Sequence, residues 1–407
     1  MSARLLALTH VDPTNGVDGP SIRSSYILRS LSEHFDVDAV CFCRRVDMVE
    51  TRGSRGLAAH HVSSLQRFPI LQEQSRVRYI ADHVGSVLTG VPYTSARYRN
   101  KAFAQRVDEL LRRNRYQVVH VESIGLVDQL RRVPMNRVVL VHHNVESELL
   151  RAQAVDASRR YQSYLMRLHA ARIEASERAY SGKVAVNVCV SELDRSRFAA
   201  LCPAGRFEVL PNGVDTDYFV PERSADEQGL VFCGVLDWLP NEDAMRHFYS
   251  DVFPLLGSDR HVRMRWVGRY PKRLPGEFAA CGAHLTGFVP DVRPFLRDAA
   301  CVVVPLRVGS GTRLKILDAW AMGKAVVSTS IGCAGLDARD GDNLLIADSP
   351  AEFAHGVRKV LRDGPLRQSL GRAGRLTVET QYSWKVIGEA AARLYREVAA
   401  GSSAPSH

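Results

Sequence analysis

Short β-branched and apolar runs alternate along the chain with longer segments whose apolar residues recur every three or four positions. Residues 3–10 (ARLLALTH), 36–44 (DVDAVCFCR), 116–123 (YQVVHVES), 137–144 (RVVLVHHN), 184–191 (VAVNVCVS) and 206–215 (RFEVLPNGVD) have the character of buried strands. Between them, residues 20–35 carry Ile22, Tyr26, Ile27 and Leu31 at helical spacing. Residues 68–115 are helical in pattern with a break near Gly90–Pro92. Residues 146–182 predict a long helix or a helix pair, with Leu149, Tyr164, Leu165, Leu168 and Ile173 as its apolar component.

The second half repeats the alternation. Strands are predicted at 229–236, 263–269, 284–289, 300–306, 325–330 and 343–348, with helices at about 241–256, 291–299, 313–322 and 350–362. Strands separated by helices indicate parallel, doubly wound sheets, so the expected class is α/β. Residues 222–229 are polar and lack apolar periodicity, which puts a boundary near 200–228. The expected domains are 1–200 and 206–382, with the amphipathic helix 383–400 packing back on the first. Two such domains would face a central cleft, and ligands of doubly wound sheets bind outside the carboxyl ends of the strands.

The length of 407 residues allows two or three domains, and 45% apolar with 24% charged residues excludes a largely disordered chain. No apolar run approaches the roughly 18 residues of a membrane span. The N-terminal run gives way to acidic and turn residues too early for a signal peptide, so a cytoplasmic protein is expected. Eight cysteines are scattered without a C-x-x-C pair, so no metal site is predicted from spacing and the thiols are expected as reduced core residues. The net charge of +10 is uneven: residues 1–200 hold 29 Lys+Arg against 20 Asp+Glu, leaving 25 against 24 for the remainder. A basic first half suits an anionic membrane surface or a phosphate-bearing substrate. Nucleic acid is not expected, because no zinc finger, RNP-like aromatic motif or Lys/Arg block is present.

The strongest local motif is Gly309-Ser310-Gly311-Thr312-Arg313-Leu314-Lys315, between the strand CVVVPL and the helix RLKILDAWAMG. Glycines at such a turn let backbone N–H groups approach an anion, and the helix start adds partial positive charge. Arg313 and Lys315 supply full charges suited to a phosphate or diphosphate. Basic residues in a first turn oppose the helix dipole, which also points to an anion there. Asp318, further along the helix, is placed to accept hydrogen bonds from ribose hydroxyls.

Five runs, VLPNGVDTDYF (209–219), FCGVLDWLPN (232–241), LTGFVPD (285–291), VPLRVGSGTRLKILDAWAMGKAVVSTSIGCAGL (304–336) and DGDNLLIAD (340–348), occur in an order that resembles the retaining glycosyltransferases of family 4, group 1. The resemblance covers nearly the whole chain and implies the GT-B architecture of two Rossmann-like domains. It implies that Gly16 and Gly19 approach the donor diphosphate with Arg23 nearby. Asn212 and Gly234 fall in donor-side motifs. Phe288 and Val289 would meet the nucleobase, the loop Gly309, Ser310, Gly311 and Thr312 would hold the diphosphate, and Asp318 would bind the ribose. His143 matches the family's sugar-contacting histidine, with His142 as the alternative; His120 and Glu122 could reach the same cleft.

The chain departs from the family pattern in three places. Two glutamates eight positions apart are replaced by Ser310 and Asp318, and Gly234 is followed by Val235 and Leu236 without the usual Arg and Lys. Arg313 and Lys315 then become the catalytic cations. The resemblance implies a metal-independent transferase without a cofactor, moving sugar from a nucleoside-diphosphate donor to a carbohydrate, lipid-linked or small-molecule acceptor in polysaccharide, glycolipid or glycoconjugate synthesis. Peripheral contact with the inner, anionic membrane face is a further expectation. Another GT-B enzyme, such as a nucleotide-sugar epimerase or a phosphorylase, and a catalytically silent scaffold are the alternatives.

Overall fold

The computed structural model describes residues 3–16, 18–44, 57, 59–129, 132–155, 160–222, 229–278, 281–309 and 314–401. The chain forms two compact units, Met1–Pro211 with Ile387–His407, and Asn212–Val386.

The first unit is a seven-stranded sheet of β1 (Ala3–Thr9), β2 (Phe35–Cys43), β3 (Ser64–Pro69), β4 (Val118–Glu122), β5 (Val138–His142), β6 (Val186–Cys189) and β7 (Phe207–Val209). Its strands are all parallel, in the order β3-β2-β1-β4-β5-β6-β7. The inner strands are buried along their length, which is why they read as apolar runs without alternation. Leu6, Leu8, Val40, Phe42, Val119, Val121 and Leu140 make the core of this unit. The first crossover helix, Gly19–Ser32, starts at a capping box in which Asp18 and Ser21 satisfy each other's backbone N–H groups.

The second unit holds β8 (Leu230–Cys233), β9 (Met264–Val267), β10 (His284–Gly287), β11 (Cys301–Val304), β12 (Val326–Ser328) and β13 (Leu345–Ile346). They are parallel in the order β10-β9-β8-β11-β12-β13, around a core that includes Phe232, Phe248, Trp266 and Trp320.

The expected start of the second domain at 206 is corrected. Phe207–Val209 pairs with β6, so hydrogen bonding carries the first unit to Pro211. The C-terminal helix Trp384–Gly401 returns to the first unit, where Arg206 pairs with Glu397 and Tyr395 meets His120. β3 lies inside or beside a stretch of helical pattern. It is a half-buried edge strand whose pairing with β2, a tertiary contact, decides its conformation. The eight cysteines are free thiols, seven of them buried.

Candidate functional site

The order of the first sheet reverses between β1 and β4, and the carboxyl ends of β1, β4 and β5 bring polar residues together there. His10 follows β1, Glu122 ends β4 and His143 follows β5. One ligand atom from each of the three lies within 4.8 Å of the other two. The rings of His10 and His143 are 5.1 Å apart between centroids.

Glu122 is buried and accepts a hydrogen bond from the Ser24 hydroxyl of the helix Gly19–Ser32. His120 Nε2 stands 3.3 Å from its other oxygen, while His120 Nδ1 is 2.5 Å from the Tyr395 hydroxyl. With the imidazole proton on Nε2, facing the carboxylate, the Tyr395 hydroxyl donates to Nδ1. Burial acts against the Glu122 charge, but the adjacent His120 ring, with His143 and His10 beyond it, brings its pKa down to about 2. Burial, His10 and Arg23 hold His143 down at about 3 against the pull of Glu122, so it is a neutral imidazole at pH 7. His10 is lowered by burial as well. Ser123, next in the chain, has a φ of 96°, alone in the left-handed region among the described non-glycine residues. Its N–H donates to the Val141 carbonyl at 3.1 Å, which fixes this sharp turn beneath the cluster.

His142 does not join His143. It is buried, with Nε2 3.0 Å from Asn187 Oδ1 and its ring 4.2 Å from that of Phe198, and burial lowers it to about 4. Its place is structural. Arg23 differs from expectation too: its guanidinium donates to the carbonyls of Pro211 and Leu210, each at 2.7 Å, and is buried. That guanidinium holds the chain leaving β7 and is not presented to a diphosphate. Gly16 adopts φ 61°, as the tight turn after β1 requires, and Gly19 opens the following helix.

The second sheet reverses between β8 and β11. Lys315, in the helix Leu314–Ala321, donates to Asn241 Oδ1 at 2.8 Å and lies 3.8 Å from the centre of the Phe232 ring. Asn241 in turn donates to the Val235 carbonyl at 2.8 Å. A Cβ at Gly234 would stand 3.1 Å from the Lys315 ammonium and 3.0 Å from Asn241 Nδ2, so the missing side chain is what admits the cation. Gly268, at φ 142°, packs against Gly234: a Cβ there would meet the Gly234 carbonyl oxygen at 2.2 Å. Asp318 lies on the same helix, close enough that its charge, after burial, helps push the Cys233 thiol up to about 12.

Gly309, at φ 124°, ends the described part of the motif loop; Ser310, Gly311, Thr312 and Arg313 lie outside the described residues. After Gly287, Phe288 is exposed while Val289 packs against the core. Asn212 is half-buried at the start of the second unit. The structure therefore gathers Gly234, Lys315 and Asp318 at one switch point and His143 with His10 and Glu122 at the other. His10 escaped the sequence reading because a lone histidine after a first strand carries no motif. Asn241 escaped because its contact with Lys315 spans 74 positions. Glu146 was missed as well; burial and the nearby Glu177 push it up to about 7.

Comparisons with known proteins agree with this architecture. A family model described as Glycosyltransferase Family 4 matches residues 27–218, and one described as Glycosyl transferases group 1 matches residues 227–363. The lipopolysaccharide core biosynthesis glycosyltransferase LpsE of Rhizobium meliloti (strain 1021) is 37% identical over 108 residues, 26% of this chain and 31% of that protein. The sucrose-phosphate synthase of Thermosynechococcus elongatus superposes with a TM-score of 0.67 at 15% identity, covering 98% of this chain and 100% of the other. Anabaena HepE, solved in complex with UDP, superposes with a TM-score of 0.65 at 12% identity over 97% and 100% of the two chains. These likenesses show the fold, which is GT-B.

Proposed function

The chain belongs to the family 4, group 1 glycosyltransferases, and from that premise we propose that it moves a sugar from a nucleoside-diphosphate donor to an acceptor hydroxyl with retention at the anomeric carbon. The observation that carries the donor side is the Lys315 ammonium, held by Asn241 and Phe232 where Gly234 leaves room, at the switch point of the second sheet. HepE, a structural likeness, was solved with UDP, which favours a nucleoside diphosphate as a ligand here.

In this reading the bond between the anomeric carbon and the diphosphate oxygen breaks, and the acceptor oxygen bonds to that carbon from the same face. The acceptor proton leaves with the diphosphate. Lys315 and Arg313 stabilise the charge that develops on the leaving group, in the place a divalent ion takes in other transferases. The reaction is thus proposed to need no metal and no cofactor. Asp318 holds the ribose, Gly16 and Gly19 admit the diphosphate, and the neutral His143 imidazole hydrogen-bonds the transferred sugar. The test is acceptor-free turnover of α-linked UDP-, GDP-, ADP- and dTDP-sugars followed by proton NMR. Release of the α-anomer of one sugar first supports the proposal; release of the β-anomer first overturns retention.

The partial match to LpsE favours an envelope glycan or its lipid-linked precursor as acceptor, and work at the cytoplasmic face of a membrane is part of the proposal. No helix among the described residues is long and apolar enough to cross one. An exposed apolar surface supports peripheral docking instead. The helix Arg76–Thr89 exposes Val77 (79%), Ile80 (60%), Val84 (51%) and Leu88 (80%), a single stripe at helical spacing. Tyr161 and Tyr164 are exposed on the helix Arg160–Ser181, whose Arg172 clamps the carbonyls of Ser86 and Val87. An apolar stripe on the basic half of the chain suits an anionic bilayer. The protein is expected to float with phosphatidylglycerol vesicles at low salt, and Ile80→Asp with Leu88→Asp to remain below. Flotation unchanged by the two substitutions would contradict this surface.

A further inference from the structure

We infer that His10, Glu122 and His143 form a binding site for one divalent transition-metal ion of the zinc class. The ligand atoms come from three neighbouring strand ends and lie within 4.8 Å of one another, so small side-chain rotations bring them onto one ion. Two imidazole nitrogens with one carboxylate oxygen select zinc, cobalt or nickel over magnesium or calcium, which prefer oxygen-only shells.

A second observation points the same way. His10 Nδ1 and His143 Nε2 are shielded from solvent and have no hydrogen-bond partner, while Glu122 Oε1 faces only the His120 ring at 3.3 Å. Two shielded ring nitrogens left without partners beside a buried carboxylate are costly, and an ion answers both at once. The surroundings resemble a supporting shell. Ser24 donates to the Glu122 carboxylate, and the His120 ring stands against its other oxygen.

The metal site stands independently of the proposed transfer reaction. Only its consequence, that bound zinc takes the imidazole needed by the donor sugar and so inhibits, rests on that reading. The experiment is therefore a binding measurement. The full chain, without added histidines, is titrated with Co²⁺ and followed by visible d–d absorption. The expected result is a saturable band at one equivalent, displaced by Zn²⁺ and untouched by excess Mg²⁺. His10→Ala and His143→Ala should each weaken binding by at least about tenfold. His60→Ala with His61→Ala, which removes another close histidine pair, should leave it unchanged.

No saturable band, a band equally strong in the His10 and His143 variants, or a thiolate charge-transfer band would each overturn the site. Should either variant fail to fold, the parent protein alone decides. Zn²⁺ should protect His10 and His143, and not His60, from carbethoxylation by diethylpyrocarbonate, read by peptide mass spectrometry. Equal modification with and without Zn²⁺ would overturn the inference.

Discussion

Arg23→Met is expected to destabilise the first unit by about 3–5 kcal/mol, the usual effect of removing one partner from a buried, hydrogen-bonded charge. The guanidinium is nearly solvent-free and donates to the carbonyls of Leu210 and Pro211, the first of these bonds being buried. It is also the buried cation whose interaction with Glu122 resists the burial-driven fall of its own pKa to about 10. Its loss leaves the buried Leu210 carbonyl without this donor and a buried carboxylate less compensated. Because the chain has two units, a single unfolding free energy is not the right readout. Peptide-resolved hydrogen exchange should show protection lost across β1, β4 and β5 while 230–304 keeps its own. Unchanged protection in the first unit would contradict the structural role assigned to Arg23.

Lys315→Ala is expected to weaken nucleoside-diphosphate binding by about 10- to 150-fold, the equivalent of one charge-assisted hydrogen bond of about 1.5–3 kcal/mol. The ammonium is pre-positioned by Asn241 and the Phe232 ring, so little side-chain entropy is lost when an anion arrives. Lys315→Arg should not restore affinity. The space beside Gly234 is sized to an ammonium: even one added carbon at residue 234 would come within 3.1 Å of it, and a planar guanidinium would displace Asn241. Isothermal calorimetry of the three proteins checks both statements. Full affinity in Lys315→Ala would remove the residue from the donor site.

The doubly wound class was legible because strands buried on both faces leave uninterrupted apolar runs such as Val138–Val141 and Cys301–Val304. Edge elements were less so. β3 carries a polar, half-buried sequence whose strand conformation comes from its partner β2. Tyr164, counted among the apolar face of its helix, is exposed, because nothing among the described residues covers that side. At the sites, Lys315 was legible from its position after a glycine-rich turn. Its anchors were not, since Asn241 and Phe232 reach it only through tertiary folding. The twin histidines show the limit of reading adjacency. Successive residues at a strand end point to opposite sides, so His142 enters the core beside Phe198 while His143 meets His10. Arg23 was legible as a charge near a helix start, but its burial depends on Leu210 and Pro211, 187 and 188 positions away.

The central claim is that the second unit binds a nucleoside diphosphate at the carboxyl ends of β8 and β11. Its most direct test is a calorimetric titration of the protein with UDP, GDP, ADP and dTDP, each in the presence of EDTA. The account predicts saturable, one-to-one, metal-free binding of one of the four. Absence of binding for all four nucleotides, or binding that appears only when a divalent ion is restored, would contradict it.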